Sequence, residues 1–263
     1  MGYPESDAED LFMYILKMTY NEVYMNESYI TDDQMAQLNN LIERRLKGEP
    51  IAYIMGYENF LGYIFKVTND TLIPRAETEI LVDQFIKKIK EQIRPEIKIL
   101  EIGTGTGCII ISVLKELQKI GLNNIQCTAI DISQSALEVA KQNALDLGIS
   151  DKINFIQCDI RDFKINDFNG IISNPPYIPS QDIPMLDKSV QYYEPHIALD
   201  GGFDGLDYYR EIAQYISKLN QCIIGLEFGI GQANAISQIF SFCSKSNIIK
   251  DLCNIERVMI YER

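Results

Sequence analysis

Four apolar stretches in the middle of the chain end alike. Lys98 to Ile102 runs into Gly103, Ile125 to Asp131 and Ile153 to Asp159 close on aspartate, and Gly170 to Asn174 closes on an amide. β-Branched residues dominate them, and most of the segments between them have the apolar period of helices roughly ten to fifteen residues long. Strand and helix in alternation bury such continuous apolar strands as an open, mainly parallel sheet with helices on both faces. Three further stretches, Cys222 to Phe228, a weaker one near Ile248 and Arg257 to Tyr261, bring the expected sheet to seven strands. The fold class is therefore α/β and Rossmann-like, and ligands of such sheets bind beyond the carboxyl ends of the strands.

The first part of the chain has a different texture. Ser6 and Glu9 have capping-box spacing ahead of Leu11, Phe12, Ile15 and Leu16; Thr31 and Gln34 repeat it ahead of Leu38, Leu41, Ile42 and Leu46, with Gly48 as the stop. Residues 1–50 are thus expected to form a small helical domain. Residues 51–74 are aromatic, β-branched and broken by glycine, which predicts a β-hairpin around Phe60 to Phe65 acting as linker. Residues 75–263 then carry the sheet, entered through a helix after Arg75.

The first sheet strand leads through Glu101-Ile102-Gly103-Thr104-Gly105-Thr106-Gly107 into an apolar helix. Glycines let the backbone turn tightly and approach a ligand at the helix start. The dinucleotide pattern G-x-G-x-x-G would need glycine where Cys108 stands, and no Walker A lysine follows. The pattern present, E-x-G-x-G-x-G, resembles the S-adenosylmethionine loop of Rossmann-like class I methyltransferases. In that frame Glu101, Gly103, Thr104, Gly105, Thr106 and Gly107 cradle the cofactor, Asp131 accepts from the ribose hydroxyls, and Asp159 with Ile160 flanks the adenine ring. Each aspartate alone reads more simply as a cap at a strand-to-helix turn. Their recurrence at consecutive strand ends favours cofactor binding.

The fourth stretch continues as Ser173-Asn174-Pro175-Pro176-Tyr177. A residue before proline is held extended, and prolines lack an N–H, so Asn174 and the Pro175 carbonyl are expected to form a rigid pair of acceptors. A planar nitrogen is a poor nucleophile because its lone pair is delocalised. Two acceptors on its N–H groups aim that lone pair, and their bonds strengthen as the nitrogen becomes pyramidal and positive in the transition state. Asn174, Pro175 and Tyr177 are the catalytic candidates, and Asn174 to Tyr177, Pro176 included, the substrate-binding ones, with Tyr177 offering a stacking face and Asn174 also a cofactor contact in the methyltransferase frame. Amide and nucleobase amine remain equally open as targets at this point.

Composition narrows the chemistry. One histidine, His196, and six cysteines scattered singly in apolar stretches leave no cluster for a metal or a thiol mechanism, and the cysteines read as buried reduced thiols. With 24 Lys+Arg against 37 Asp+Glu, the net charge of -13 opposes a nucleic-acid partner. No apolar run is long enough to cross a bilayer, and the first residues have no secretory pattern, so the expectation is a cytoplasmic, monomeric protein.

Taken with their flanks, these motifs resemble the bacterial release factor glutamine methyltransferases. RRLKGEPIAYIMGYENFLGYIFKV, LIPRAETEILVD, EIGTGTG, NPPYI, EPHIALDGGFDGLDYYR and ERVMIYER carry the similarity across nearly the whole chain. The resemblance implies N5-methylation of the glutamine in the Gly-Gly-Gln motif of peptide chain release factors, with S-adenosylmethionine as cofactor. Ribosomal-protein glutamine methyltransferases differ after Ile-Pro-Arg, so Glu77, Thr78 and Glu79 favour the release factor branch. Arg75 and Glu77 are read first as an interdomain ion pair near the site. Ala76 stands where the family usually has proline, and the helical domain is about one helix shorter than expected.

Overall fold

The computed structural model describes residues 5–25, 30–92, 94–164 and 167–263. Helices α1 (Glu5–Leu16), α2 (Tyr20–Met25), α3 (Asp32–Leu46) and α4 (Ile51–Met55) come first. Leu11, Leu38 and Ile54 form their small core, with Phe12, Ile15, Leu41 and Ile42 packed on it. The capping box at α3 is present, Thr31 Oγ1 accepting from Gln34 N–H at 3.2 Å and Gln34 Oε1 accepting from Thr31 N–H at 3.0 Å. The other one is not a cap: α1 already includes Ser6, whose side chain lies outside the described residues.

Strands β1 (Tyr57–Phe60) and β2 (Tyr63–Lys66) pair antiparallel across a two-residue turn. Leu61 and Gly62 both take positive φ, 50° and 77°, the geometry whose twist suits a two-residue hairpin. The hairpin is no loose tether. Phe60 and Phe65 are buried in the main core, edge to face at 6.1 Å, and Leu61 N–H donates to Glu79 Oε1 at 2.7 Å.

Helix α5 (Ala76–Glu91) leads into alternating elements: β3 (Ile97–Ile102), α6 (Cys108–Lys119), β4 (Ile125–Asp131), α7 (Gln134–Asp146), β5 (Ile153–Gln157) and β6 (Gly170–Ser173). Helices α8 (Lys188–Tyr193) and α9 (Asp207–Ile216), strand β7 (Ile223–Glu227), helix α10 (Ala233–Ile239), and strands β8 (Lys245–Lys250) and β9 (Glu256–Glu262) complete it. Seven of the described strands form one sheet in the order β5-β4-β3-β6-β7-β9-β8. All pairs are parallel except those of β9, which runs antiparallel to β7 and β8. The sheet separates two apolar clusters, one with residues of α5 and α6, the other with residues of α9 and α10.

The sequence extends three strands too far, β7 ending at Glu227 and not at Phe228. β5 stops at Gln157, where the Cys158 N–H donates to the Asp131 carbonyl at 3.0 Å as the last bond of the ladder with β4, and Asp159 lies beyond the strand. β6 stops at Ser173, since the following prolines have no N–H for the ladder. The cysteine expectation holds for Cys108, Cys127 and Cys222, which are buried, and fails for Cys253, exposed in the turn between β8 and β9 where Asp251 gathers the backbone N–H groups.

Gly170 on β6 and Gly225 on β7 let α5 lie close against the sheet. A Cβ at Gly170 would stand 2.5 Å from Phe85 Cζ and 2.8 Å from Ile89 Cδ1, both in the main core. Gly170→Ala is therefore expected to destabilise the protein by about 1–3 kcal/mol through overpacking, read as a lowered midpoint of urea unfolding at unchanged slope.

Candidate active site

Strand β3 pairs with β4 on one side and β6 on the other, so the chain leaving β3 and the chain leaving β6 emerge side by side where the strand order reverses. Ile102 stands opposite Ser173, whose Oγ donates to the Ile102 carbonyl at 2.7 Å. The loop after β3 is drawn toward β4, with Gly103 and Thr104 N–H both donating to the Ile130 carbonyl. A cleft of about 1070 Å³, counted out to open solvent, lies over these exits. Gly103 to Thr106, Asp131, Asp159, Ile160 and Asn174 to Pro176 line it.

The glycine loop is shaped from below. Glu101 is fully buried, one oxygen accepting from the Thr104 hydroxyl and Oε1 finding no partner among the described residues. Burial pushes its pKa well above the carboxylate range, against the Thr104 bond. Asn143, also buried, binds two segments at once: its Nδ2 donates to Thr106 O at 2.9 Å and Lys66 O at 3.0 Å, while Lys66 N–H donates to its Oδ1 at 2.7 Å. The hairpin and the loop thus share one amide.

Asp131 accepts from Gly105 N–H on one oxygen and Ser133 N–H on the other, both at 2.9 Å. Burial raises its pKa and these backbone donors oppose the rise. Gly103 and Gly105 have φ of 71° and 53°, and the space a Cβ would take at either is open, so bare backbone faces the cleft. Further along the wall, Asp159 pairs with the Arg161 guanidinium, which lowers its pKa, and Ile160 is buried beside it. This wall of glycine backbone, a carboxylate able to accept more bonds, and apolar Ile160 and Ile132 fits a ligand with a ribose and a flat heterocycle.

Across the cleft, Asn174 Nδ2 donates to Thr78 Oγ1 of α5 at 3.2 Å. Pro175 is buried and Pro176 partly so. Tyr177 does not join them on the cleft wall. Its ring packs on the apolar cluster of α9 and β7, and burial raises its phenol to about 12. Its carbonyl accepts from Gln232 Nε2 at 2.9 Å, while Gln232 Oε1 accepts from Gly229 N–H. Arg75 lines the cleft and pairs with buried Glu194 rather than with Glu77, and Glu194 also accepts from Ile73 N–H.

A parallel sheet with one reversed strand next to its edge, a glycine loop after β3 and an acid at the end of β4 together define a Rossmann-like, S-adenosylmethionine-dependent methyltransferase. Comparison with known proteins gives the same class and narrows it. Residues 93–249 match a methyltransferase domain family and residues 1–56 the PrmC N-terminal domain. The release factor glutamine methyltransferase of Thermodesulfovibrio yellowstonii is 36% identical over 98% of this chain and 92% of its own length. That of Caulobacter vibrioides is 32% identical over 98% and 89%. The solved catalytic domain of hMettl16, bound to a MAT2A 3′UTR hairpin, is similar in fold, with TM-score 0.56 at 14% identity over 88% of this chain and 82% of that one. The chain belongs to the release factor glutamine methyltransferase family.

Sequence reasoning missed Asn143, Glu194, Glu227 and Gln232. Asn143 lies mid-helix with no motif around it, and its partners are 37 and 77 residues away. Replacing it leaves the buried Thr106 carbonyl and the half-buried Lys66 carbonyl without their donor. Asn143→Ala is expected to lower thermal stability and to weaken binding of S-adenosylhomocysteine about tenfold, as loss of roughly 1.4 kcal/mol would. Calorimetric titration alongside a melting curve checks both.

Proposed function

We propose that this chain transfers a methyl group from S-adenosylmethionine to the side-chain amide nitrogen, N5, of the glutamine in the Gly-Gly-Gln motif of peptide chain release factors. The observation that carries the reading is Asn174. Its nitrogen is engaged by Thr78, so the group it can offer to the cleft is its carbonyl oxygen, an acceptor. Family membership supports the substrate class.

Gly103 to Gly107 and Asp131 would hold the cofactor, with Asp159 and Ile160 at its adenine end, and the bound sulfonium supplies an electrophilic methyl group. The Asn174 oxygen and the Pro175 carbonyl would accept the two amide N–H groups. This orients the glutamine nitrogen toward the cofactor and favours the charged, pyramidal transition state over the neutral amide. No general base is required before transfer, which suits a cleft without a histidine wall. Tyr177 would back the Pro175-Pro176 turn from the protein side. We assign residues 1–50 to gripping the release factor, residues 51–74 to the connection and residues 75–263 to catalysis.

The test is incubation with methyl-labelled S-adenosylmethionine and, in parallel, a release factor, a ribosomal protein and DNA. Label on the release factor that disappears when its Gly-Gly-Gln glutamine is changed supports the reading; label on nucleic acid alone sinks it. Asn174→Ala is expected to lower kcat by about 10²–10³-fold, the usual effect of removing one transition-state hydrogen bond. Its cofactor affinity should stay within a few-fold of wild type in the same titration, and an unchanged kcat would remove the acceptor pair from the mechanism.

A further inference from the structure

Glu227 ends β7, one residue past Leu226, which pairs with Ser173, so its level in the sheet is that of Asn174. It is 3% exposed, and its Oε2 finds no hydrogen-bond partner among the described residues. A buried carboxylate with a spare oxygen is costly unless something needs it there. What it faces is the Thr78 hydroxyl and the Asn174 carboxamide.

We propose that Glu227 is a positioning residue for methyl transfer: through Thr78 it holds the Asn174 carboxamide with nitrogen inward and oxygen toward the substrate. The inference rests on the amide-methylation reading given above. An ionised carboxylate can only accept, whereas a threonine hydroxyl has one proton to give and lone pairs to receive. Thr78 Oγ1 accepts from Asn174 Nδ2, which leaves its own proton for Glu227. The acceptor-only end thereby sets the direction of the whole chain. If Glu227 is neutral, its proton can go to Thr78, Thr78 can donate to Asn174 Oδ1, and the carboxamide turns its NH₂ to the cleft. There it meets the substrate's own N–H groups, donor against donor.

Both states lie near ordinary pH. Burial raises Glu227 to about 7; Thr78 opposes, Glu77 on α5 adds to the rise, and Arg257 on β9 and Asn174 oppose it. The other titratable groups facing it, Cys108, Tyr177 and Tyr209, are all pushed upward by burial and stay neutral through this range. The carboxylate form, hence the productive carboxamide, prevails above about pH 7 and is lost as pH falls through that value.

The experiment measures kcat on a release factor from about pH 6 to 9 for the full chain and for Glu227→Gln, Thr78→Val and Thr78→Ser. Wild type should show an acidic limb near pH 7. Glu227→Gln should lose that limb and about 10–100-fold in kcat, as misplacement of a catalytic group does, with KM and S-adenosylhomocysteine affinity changed less than about threefold. Thr78→Val should behave likewise, and Thr78→Ser should recover most of the loss. A Glu227→Gln enzyme with wild-type kcat and an intact acidic limb overturns the proposal, as do equal losses in the two Thr78 variants. If wild type labels no release factor, the functional reading fails, and the positioning is read instead from the Asn174 side-chain amide in ¹⁵N–¹H spectra. Its shift should titrate near pH 7 in wild type and stay flat in Glu227→Gln; a flat wild-type response overturns the inference.

Discussion

Parallel pairing of β3 with both β4 and β6 is the constraint on which the rest of the molecule depends. Parallel strands leave their carboxyl ends on one edge, and the reversal of order at β3 splits the two exits apart. With Ile102 opposite Ser173, the glycine loop and the Asn-Pro-Pro turn start level with each other. A one-residue slip would move the strands' buried side chains to the wrong faces and part the loop from the amide. Apolar residues on both sides of these strands make such a slip expensive: every β6 residue is buried.

Around that crevice the chain places polar groups where sequence-distant segments must be joined. Asn143 ties β2 to the glycine loop, Glu194 ties the 73–75 segment to the loop after α8, and Gln232 ties the turn after β7 to Tyr177. Each is a buried or half-buried side chain that completes backbone groups no strand or helix could satisfy. Gly201 and Gly205 serve the same assembly sterically, since a Cβ at either would fall within 3 Å of the Pro176 or Tyr177 carbonyl oxygens.

These joints explain what could be read from the sequence and what could not. The strand positions, the hairpin around Phe60 to Phe65, the Thr31 cap and the glycine loop follow from local patterns: period, spacing and backbone chemistry. That Asp131, Ile160 and Asn174 line the cleft was legible because they stand at or just beyond strand ends, where a parallel sheet puts its ligands. Glu227 also stands at a strand end, in Leu-Glu-Phe-Gly, and the same rule could have found it. The carboxylate-to-Thr78 relation, by contrast, spans the chain from α5 to β7 and has no spacing to betray it. Tyr177 illustrates the opposite error: chemistry suggested a stacking face, but the following loop folds the ring onto the apolar cluster.

The fold leaves the substrate open, and the net charge weighs against a nucleic acid. A pair of fixed acceptors would activate a nucleobase amine as well as a glutamine amide, and similarity to an RNA-bound domain at 14% identity speaks to the fold alone. Binding a polyanion rests on lysine and arginine that neutralise its phosphates and release its counterions. Here Arg44, Arg45, Arg75, Arg161, Arg210 and Arg257 are each paired with a carboxylate, in a chain whose net charge is -13. Exposing such arginines to phosphate would mean breaking those pairs against a repulsive field, whereas a protein loop carrying an uncharged glutamine meets no such barrier. The same acidic surface speeds encounter with a basic protein partner and slows it with nucleic acid. Net charge therefore weighs against a polyanionic partner on approach, outside the cleft.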